Sequence, residues 1–293
     1  MTTRTAALLA TALACGSCDN GAKPGGGGAA APLRVSLKGT AFEVDAVAVD
    51  KDRRHAEERF GRVEGSRGHL LAWPRERFMK LETERADASF DVAFLDRAGR
   101  IVDIQLFPAG GPEGLMPAAE AAYALFVAPG TIARLGARAG DAVELSAEVR
   151  ALRPQELPAV KVGDALAYVE LALTEPERQH GLMFRPRLSA DDGMLFAYNG
   201  DAIRRFWMGN TLIPLDIAFI RSDGTLVNVN ETPTYPDPRH PPANYATSDS
   251  TDSAQFVLEM NLGWFRRKGL VDATGKPRPG VKAVLPPQAL GSE

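Results

Sequence analysis

Cysteine is nearly missing from this 293-residue chain: there are two, Cys15 and Cys18, both close to the start. Residues beyond them can form no internal disulfide and no thiolate metal site. That scarcity leaves the compartment open, because an exported domain with an adequate core needs no disulfide. An excess of basic charge is missing too. Lysine and arginine total 34 against 37 acidic residues, for a net charge of -3. This argues against nucleic acid, whose partners present a clustered positive surface. After the first residues no apolar run is long enough to cross a bilayer as a helix. His180, Asp237 and His240 follow no ligand spacing of a known metal motif, and no cofactor is implied.

What is present is an ordinary globular balance, 45% hydrophobic and 24% charged residues, over a length that suits two domains. Residues 1–18 have the grammar of a secretory signal. Arg4 supplies the positive start, Ala6 to Ala14 the short apolar stretch, and small residues precede Cys15. Ala12-Leu13-Ala14-Cys15 resembles a bacterial lipobox, with Ala12 where leucine is favoured. Cys18 is a second candidate for lipidation, and cleavage without a lipid is the plainer alternative. A redox role for Cys15 and Cys18 would need a strand before them and a helix after. Residues 19–32 hold five glycines and two prolines and read as a flexible tether. The expectation is an exported protein, periplasmic or held to a bacterial membrane by a lipid on Cys15.

The remainder repeats once, in order. Gly68 to Trp73 (GHLLAW) parallels Gly193 to Tyr198 (GMLFAY), and Phe78 to Thr83 parallels Phe206 to Thr211. Phe90 to Leu95 (FDVAFL) parallels Leu215 to Ile220 (LDIAFI), and Gly130 and Gly136 parallel Gly263 and Gly269. A period this long means a duplicated domain, not a solenoid. The expected division is 33–150, a proline-bearing linker at 151–159, a second domain at 160–287 and a tail at 288–293. In the second copy, apolar runs 215–220 and 226–229 flank Asp223-Gly224, a strong hairpin signal. Runs 92–95 and 101–106 do the same in the first, and further strands are expected at 123–127 and 256–260. Thr174-Glu175-Pro176-Glu177 is a capping box for a helix stopping near Gly181. Asn261 and Gly269 are read as the ends of another helix. The fold class expected is α+β and β-rich: two related compact domains, each a mainly antiparallel sheet or partly open barrel with short helices.

Residues 177–185 (ERQHGLMFR), 193–196 (GMLF), 206–220 (FWMGNTLIPLDIAFI) and 258–263 (LEMNLG) resemble the DUF192 (UPF0127) family. The resemblance covers about residues 160–285. The family usually has lysine where this chain has Gly209. The first copy is similar to a degenerate member: it keeps the glycine-led strand, Asp91 and the Gly130/Gly136 helix, and lacks the tryptophan, asparagine and proline. The resemblance implies a small β-rich domain, often exported, with no established activity.

Polar residues inside apolar blocks are the candidates for function. A buried carboxylate is costly unless paired, so Asp216 and Glu259 need partners, and Arg178 and Arg185 are the expected ones. One reading is a scaffold network, favoured by the persistence of Asp91 in the first copy. Another is a ligand site of Arg178, Arg185, Trp207, Asn210, Thr211, Asp216 and Glu259. Its aromatic face and polar groups suit a small polar ligand, carbohydrates among them, or an envelope protein partner. A third is an envelope hydrolase, glycoside-directed, using Asp216 and Glu259 as acid and base. The proline-bearing segment 232–254 is long enough to be a functional or a plain surface loop.

Overall fold

The computed structural model describes residues 33–48, 56–111, 114–234 and 247–291. The signal and tether readings of 1–32, Cys15 included, lie outside these residues, as do Asp237 and His240. Pro32–Glu293 is one compact unit.

It contains two seven-stranded sheets. The first is built from β1 (Arg34–Leu37), β2 (Thr40–Ala48), β3 (Arg67–Arg77), β4 (Phe90–Leu95), β5 (Ile101–Phe107), β6 (Ala121–Val127) and β7 (Val143–Leu145). The second is built from β8 (Ala159–Val162), β9 (Ala165–Ala172), β10 (Asp192–Ala202), β12 (Leu215–Ile220), β13 (Leu226–Thr232), β15 (Ala254–Asn261) and β16 (Ala283–Val284). A ribbon of β11 (Arg205–Trp207) and β14 (Thr247–Asp249) is attached to the second. The orders are β5-β4-β6-β3-β2-β1-β7 and β13-β12-β15-β10-β9-β8-β16, the same strand for strand. Each has one parallel pair, β2–β3 and β9–β10. Parallel neighbours need a crossover, and that of the second sheet carries a helix, Glu175–His180.

Both sheets are buried on both faces, each face with its own hydrophobic cluster. That is why β6, β12 and β15 read as nearly unbroken apolar runs instead of alternating ones. Each sheet also curls. The β12–β13 turn reaches β16 at the far end of the order, where Ala283 N–H donates to Gly224 O (2.8 Å). The equivalent bond of the first sheet runs from Val143 N–H to Gly99 O (2.8 Å). A Cβ on Gly224 would lie 2.2 Å from Ala283 O, and φ is +81° there, so this closure requires glycine. The β-rich fold of two related, partly closed domains is therefore as expected, with 45% strand and 11% helix among the described residues.

The described residues hold five short α-helices, α1 (Thr131–Arg134), α2 (Ala147–Arg150), α3 (Glu175–His180), α4 (Trp264–Arg267) and α5 (Pro287–Leu290), and one 3-10 turn, Ala56–Arg59, in the crossover of the first sheet. α3 has the expected capping box on Thr174 and Glu177 and ends at Gly181. α4 differs from expectation at its start: Gly263, with φ +75°, is the N-cap. Asn261 instead ends β15, and its side chain donates to Ser189 O (2.8 Å). Part of the 232–254 loop is also regular, since Thr247–Asp249 pairs with β11; residues 235–246 lie outside the described ones.

Candidate functional site

Strand register decides which candidates share a face. Glu259 on β15 lies opposite Met194 on β10 and Ile217 on β12. Met194 and Ile217 belong to the cluster with Leu182, Met208 and Ile213, so Glu259 faces the segments that carry those residues. Asp216 is one residue from Ile217, and alternation turns it to the opposite face. The two carboxyls are thus on different sides of the sheet and do not meet across one substrate bond.

Asp216 is a helix cap. Its Oδ1 accepts from Gly263 N–H (2.8 Å) and its Oδ2 from Phe265 N–H (3.0 Å), at the start of α4. Burial raises its pKa, against the lowering effect of those two amides. Asp91 does the same for α1, accepting from Ile132 N–H (2.9 Å). An anionic acceptor is favourable at a helix start, where amides lack internal partners. The aspartate thus has the same capping role in both domains.

Neither expected arginine pairs with these carboxyls. Arg178 splints α3 to the sheet: it donates to Leu173 O (2.5 Å), Ala197 O (3.0 Å) and Glu175 (3.1 Å), and lies 5.0 Å over the Tyr198 ring. Arg185, 6% exposed, makes a two-pronged pair with Glu170, both bonds 2.7 Å. Burial works to lower the Arg185 pKa, but the facing Glu170 outweighs it and the pKa is raised.

Glu259 is 5% exposed, and among the described residues its carboxyl has no hydrogen-bond or ion-pair partner. Burial alone pushes its pKa up to about 8. At neutral pH it is therefore mostly a protonated acid, able to donate and to accept.

The covering segments expose large apolar side chains. Trp207 is 51% and Phe184 47% exposed, and Leu212 and Ile203 are exposed as well. The two loops are joined, with Phe184 N–H donating to Asn210 O (2.9 Å). Phe184 and Asn210 both have positive φ (59° and 56°). Asparagine tolerates that region, whereas a bulky phenylalanine is held there at a cost. The Trp207 indole lies over Gly209, where a Cβ would come 2.6 Å from the ring. Thr211 is buried, with its hydroxyl toward Gly209 O (3.4 Å). Trp207 pairs in register with Thr247, the first described residue after 235–246. Sequence motifs thus converge on one rim of Phe184, Trp207 and Asn210, with Glu259 on the sheet face behind these segments.

Sequence reasoning missed a charge cluster joining the two domains. Arg77 of β3 is 3.2 Å from Glu170 and 3.1 Å from Asp192, and Arg75 bonds Asp192 and lies 3.2 Å from Glu156. Phe78 N–H donates to Ser189 Oγ (2.9 Å), and Arg187 donates to Ala118 O (2.6 Å). Asp192 has no exposure, and burial raises its pKa against the pull of Arg77 and Arg75. A carboxylate at the first residue of an apolar strand was the available signal, but its cations are more than a hundred residues away.

Residues 159–274 match the model of a family described as DUF192, Uncharacterized ACR, COG1430. Two solved structures are similar to the chain. A candidate transcription regulator from Sinorhizobium meliloti 1021 is 32% identical, over 44% of this chain and 92% of its own, with a TM-score of 0.37. A protein of unknown function from Novosphingobium aromaticivorans DSM 12444 is 32% identical, over 43% of this chain and 83% of its own, with a TM-score of 0.36. No curated protein matches.

Proposed function

We propose that this chain, which belongs to the DUF192 family, is an exported binding or assembly module of a bacterial envelope and not an enzyme. Its ligand or partner engages the second domain at the rim of Phe184, Trp207 and Asn210. The observation that carries this reading is Glu259: a buried acid without a partner among the described residues, on the face covered by exposed aromatics. An unpaired buried polar group lowers stability, and a polar ligand that supplies its missing hydrogen bonds recovers the loss. A neutral carboxyl beside an aromatic face suits hydroxyl- or amide-bearing ligands such as carbohydrates. The first domain is read as a degenerate copy, supported by the shared strand order and the paired helix caps of Asp91 and Asp216. A lipid on Cys15 would tether the pair to the membrane.

The binding test is a fluorescence titration. Of three tryptophans, Trp73 and Trp264 are buried, so emission changes report on Trp207. Neutral and amino sugars, free and as short oligomers, are the probes, with in-cell photo-crosslinking from position 207 for a protein partner. A ligand signal or crosslink lost in Glu259→Leu and in Phe184→Ala, variants that keep the reporter at position 207, is expected; silence in both arms of the parent chain overturns the reading. Palmitate incorporation that is absent in Cys15→Ala tests the anchor, and no incorporation in the parent chain ends that part.

A further inference from the structure

A cleft of about 260 Å³ lies where the first sheet meets the 151–158 connector, far in sequence from the aromatic rim. Its walls include Arg97, Arg150 and Arg153, with Tyr123, Pro74 and Pro154. Many arginines elsewhere are matched by carboxylates, as in Arg185–Glu170, Arg205–Asp249 and Arg266–Glu231, and others, such as Arg187 and Arg204, bond main-chain carbonyls singly, apart from this cleft. Here, among the described residues, none of the three has an ion-pair partner. The nearby Glu76 carboxylate is taken by the main chain, accepting from Arg97 N–H at 2.6 Å.

The three guanidinium groups are nonetheless held in place. Arg97 Nη2 donates to the carbonyls of Trp73 (3.2 Å) and Pro74, and lies 5.7 Å over the ring of the buried Tyr123. Arg150 Nη2 donates to Ala98 O (3.4 Å), and Arg153 Nη1 to Arg150 O (3.1 Å) and Leu152 O (3.0 Å). Each group is oriented through one nitrogen and keeps its other N–H donors available. Three like charges lining one cleft repel each other, so an anion entering it relieves repulsion and gains charge-assisted bonds. The volume is below the roughly 300–1,000 Å³ of sites for drug-sized ligands, which limits the occupant to something small. A planar carboxylate presents two oxygens in one plane, whereas a tetrahedral oxyanion can meet three guanidinium groups from three directions.

We propose that this cleft binds a small tetrahedral oxyanion, phosphate or a phosphomonoester head, through Arg97, Arg150 and Arg153. The test is calorimetric titration of the full chain at fixed ionic strength with inorganic phosphate, sulfate and glycerol phosphate. Arg150→Gln and Arg153→Gln should each weaken phosphate binding about tenfold or more, the scale of one charge-assisted bond. Lys161→Gln, an equal charge loss on the second sheet, should leave it unchanged. Arg153→Lys, which keeps the charge and loses the fork, should fall between. Tighter binding of glycerol phosphate than of phosphate would support a head group on a larger molecule, and equal binding the free ion. Absence of binding at millimolar phosphate and glycerol phosphate, or equal weakening in Lys161→Gln, overturns the proposal. Unchanged thermal midpoints of the variants without ligand separate lost binding from lost folding.

Discussion

Replacing Glu259 with glutamine should stabilise the protein, and by an amount that depends on pH. The folded-state pKa of Glu259 is about 8 against an ordinary 4.5. A carboxyl whose pKa is raised on folding binds more protons in the folded state than in the unfolded one. Stability is therefore fully present below pH 4.5 and is lost as pH rises towards 8. At 1.36 kcal/mol per pH unit, the loss is about 3 kcal/mol by pH 7 and about 5 kcal/mol by pH 9. Glutamine has the shape of the protonated acid and does not titrate, so it escapes that loss. Urea unfolding of both proteins at pH 5, 7 and 8.5 should give similar stability at pH 5. The variant should be ahead by about 3 kcal/mol at pH 7, or about 6–12 °C in the midpoint of the second domain. Other titrating groups act equally in both proteins and cancel in the difference. A difference that does not change with pH, or a variant less stable than the parent at pH 8.5, would refute the reasoning. Either result would mean that Glu259 is ionised and paired in the folded protein.

Other substitutions test the scaffold. Asp216→Ala leaves two amides of α4 without their acceptor and should cost about 2–4 kcal/mol in urea unfolding, while Asp91→Ala, with one such bond, should cost about half of that. Arg77→Ala strips a cation from Asp192 and Glu170 and should cost about 3–5 kcal/mol, with a double-mutant cycle against Asp192→Asn showing strong coupling. Gly193→Ala should destabilise by about 1–3 kcal/mol or more, because its Cβ would lie 2.4 Å from the Glu259 carbonyl oxygen and 2.3 Å from the Met260 sulfur.

The parts of the fold legible in the sequence were those governed by local rules. Asp223-Gly224 between apolar runs gave a hairpin because only glycine fits where the turn meets β16, and Thr174 to Glu177 gave a capped helix because the box is complete within four residues. The start of α4 was misplaced for a reason of the same kind. Asn261 is a good cap in isolation, but in the sheet its amide is drawn to Ser189 O, and Gly263 takes the cap with Asp216 receiving the amides. The site was half legible. That Trp207, Asn210, Thr211 and the 182–185 block come together followed from their motif. Which carboxyl pairs with which arginine did not, because that depends on strand parity and on cations supplied by the other domain.

The charge cluster between domains bears on how Glu259 is to be understood. Glu170, Met194 and Glu259 lie in one row across three neighbouring strands, and Asp192 is two residues along from Met194 on the same face. Were this edge of the sheet merely tolerant of stray charge, its carboxyls would be treated alike. They are not. Glu170 is held by Arg185 and Arg77, and Asp192 by Arg75 and Arg77. Two of those arginines come from β3 of the first domain, at positions whose counterparts in the second copy are Gly200 and Ala202. The first domain thus supplies cations to the second, and its supply stops one strand short of Glu259. A chain that satisfies the half-buried Glu170 and the buried Asp192 across a domain boundary, yet among the described residues leaves Glu259 without a partner behind an aromatic rim, favours a ligand over an accident at that position.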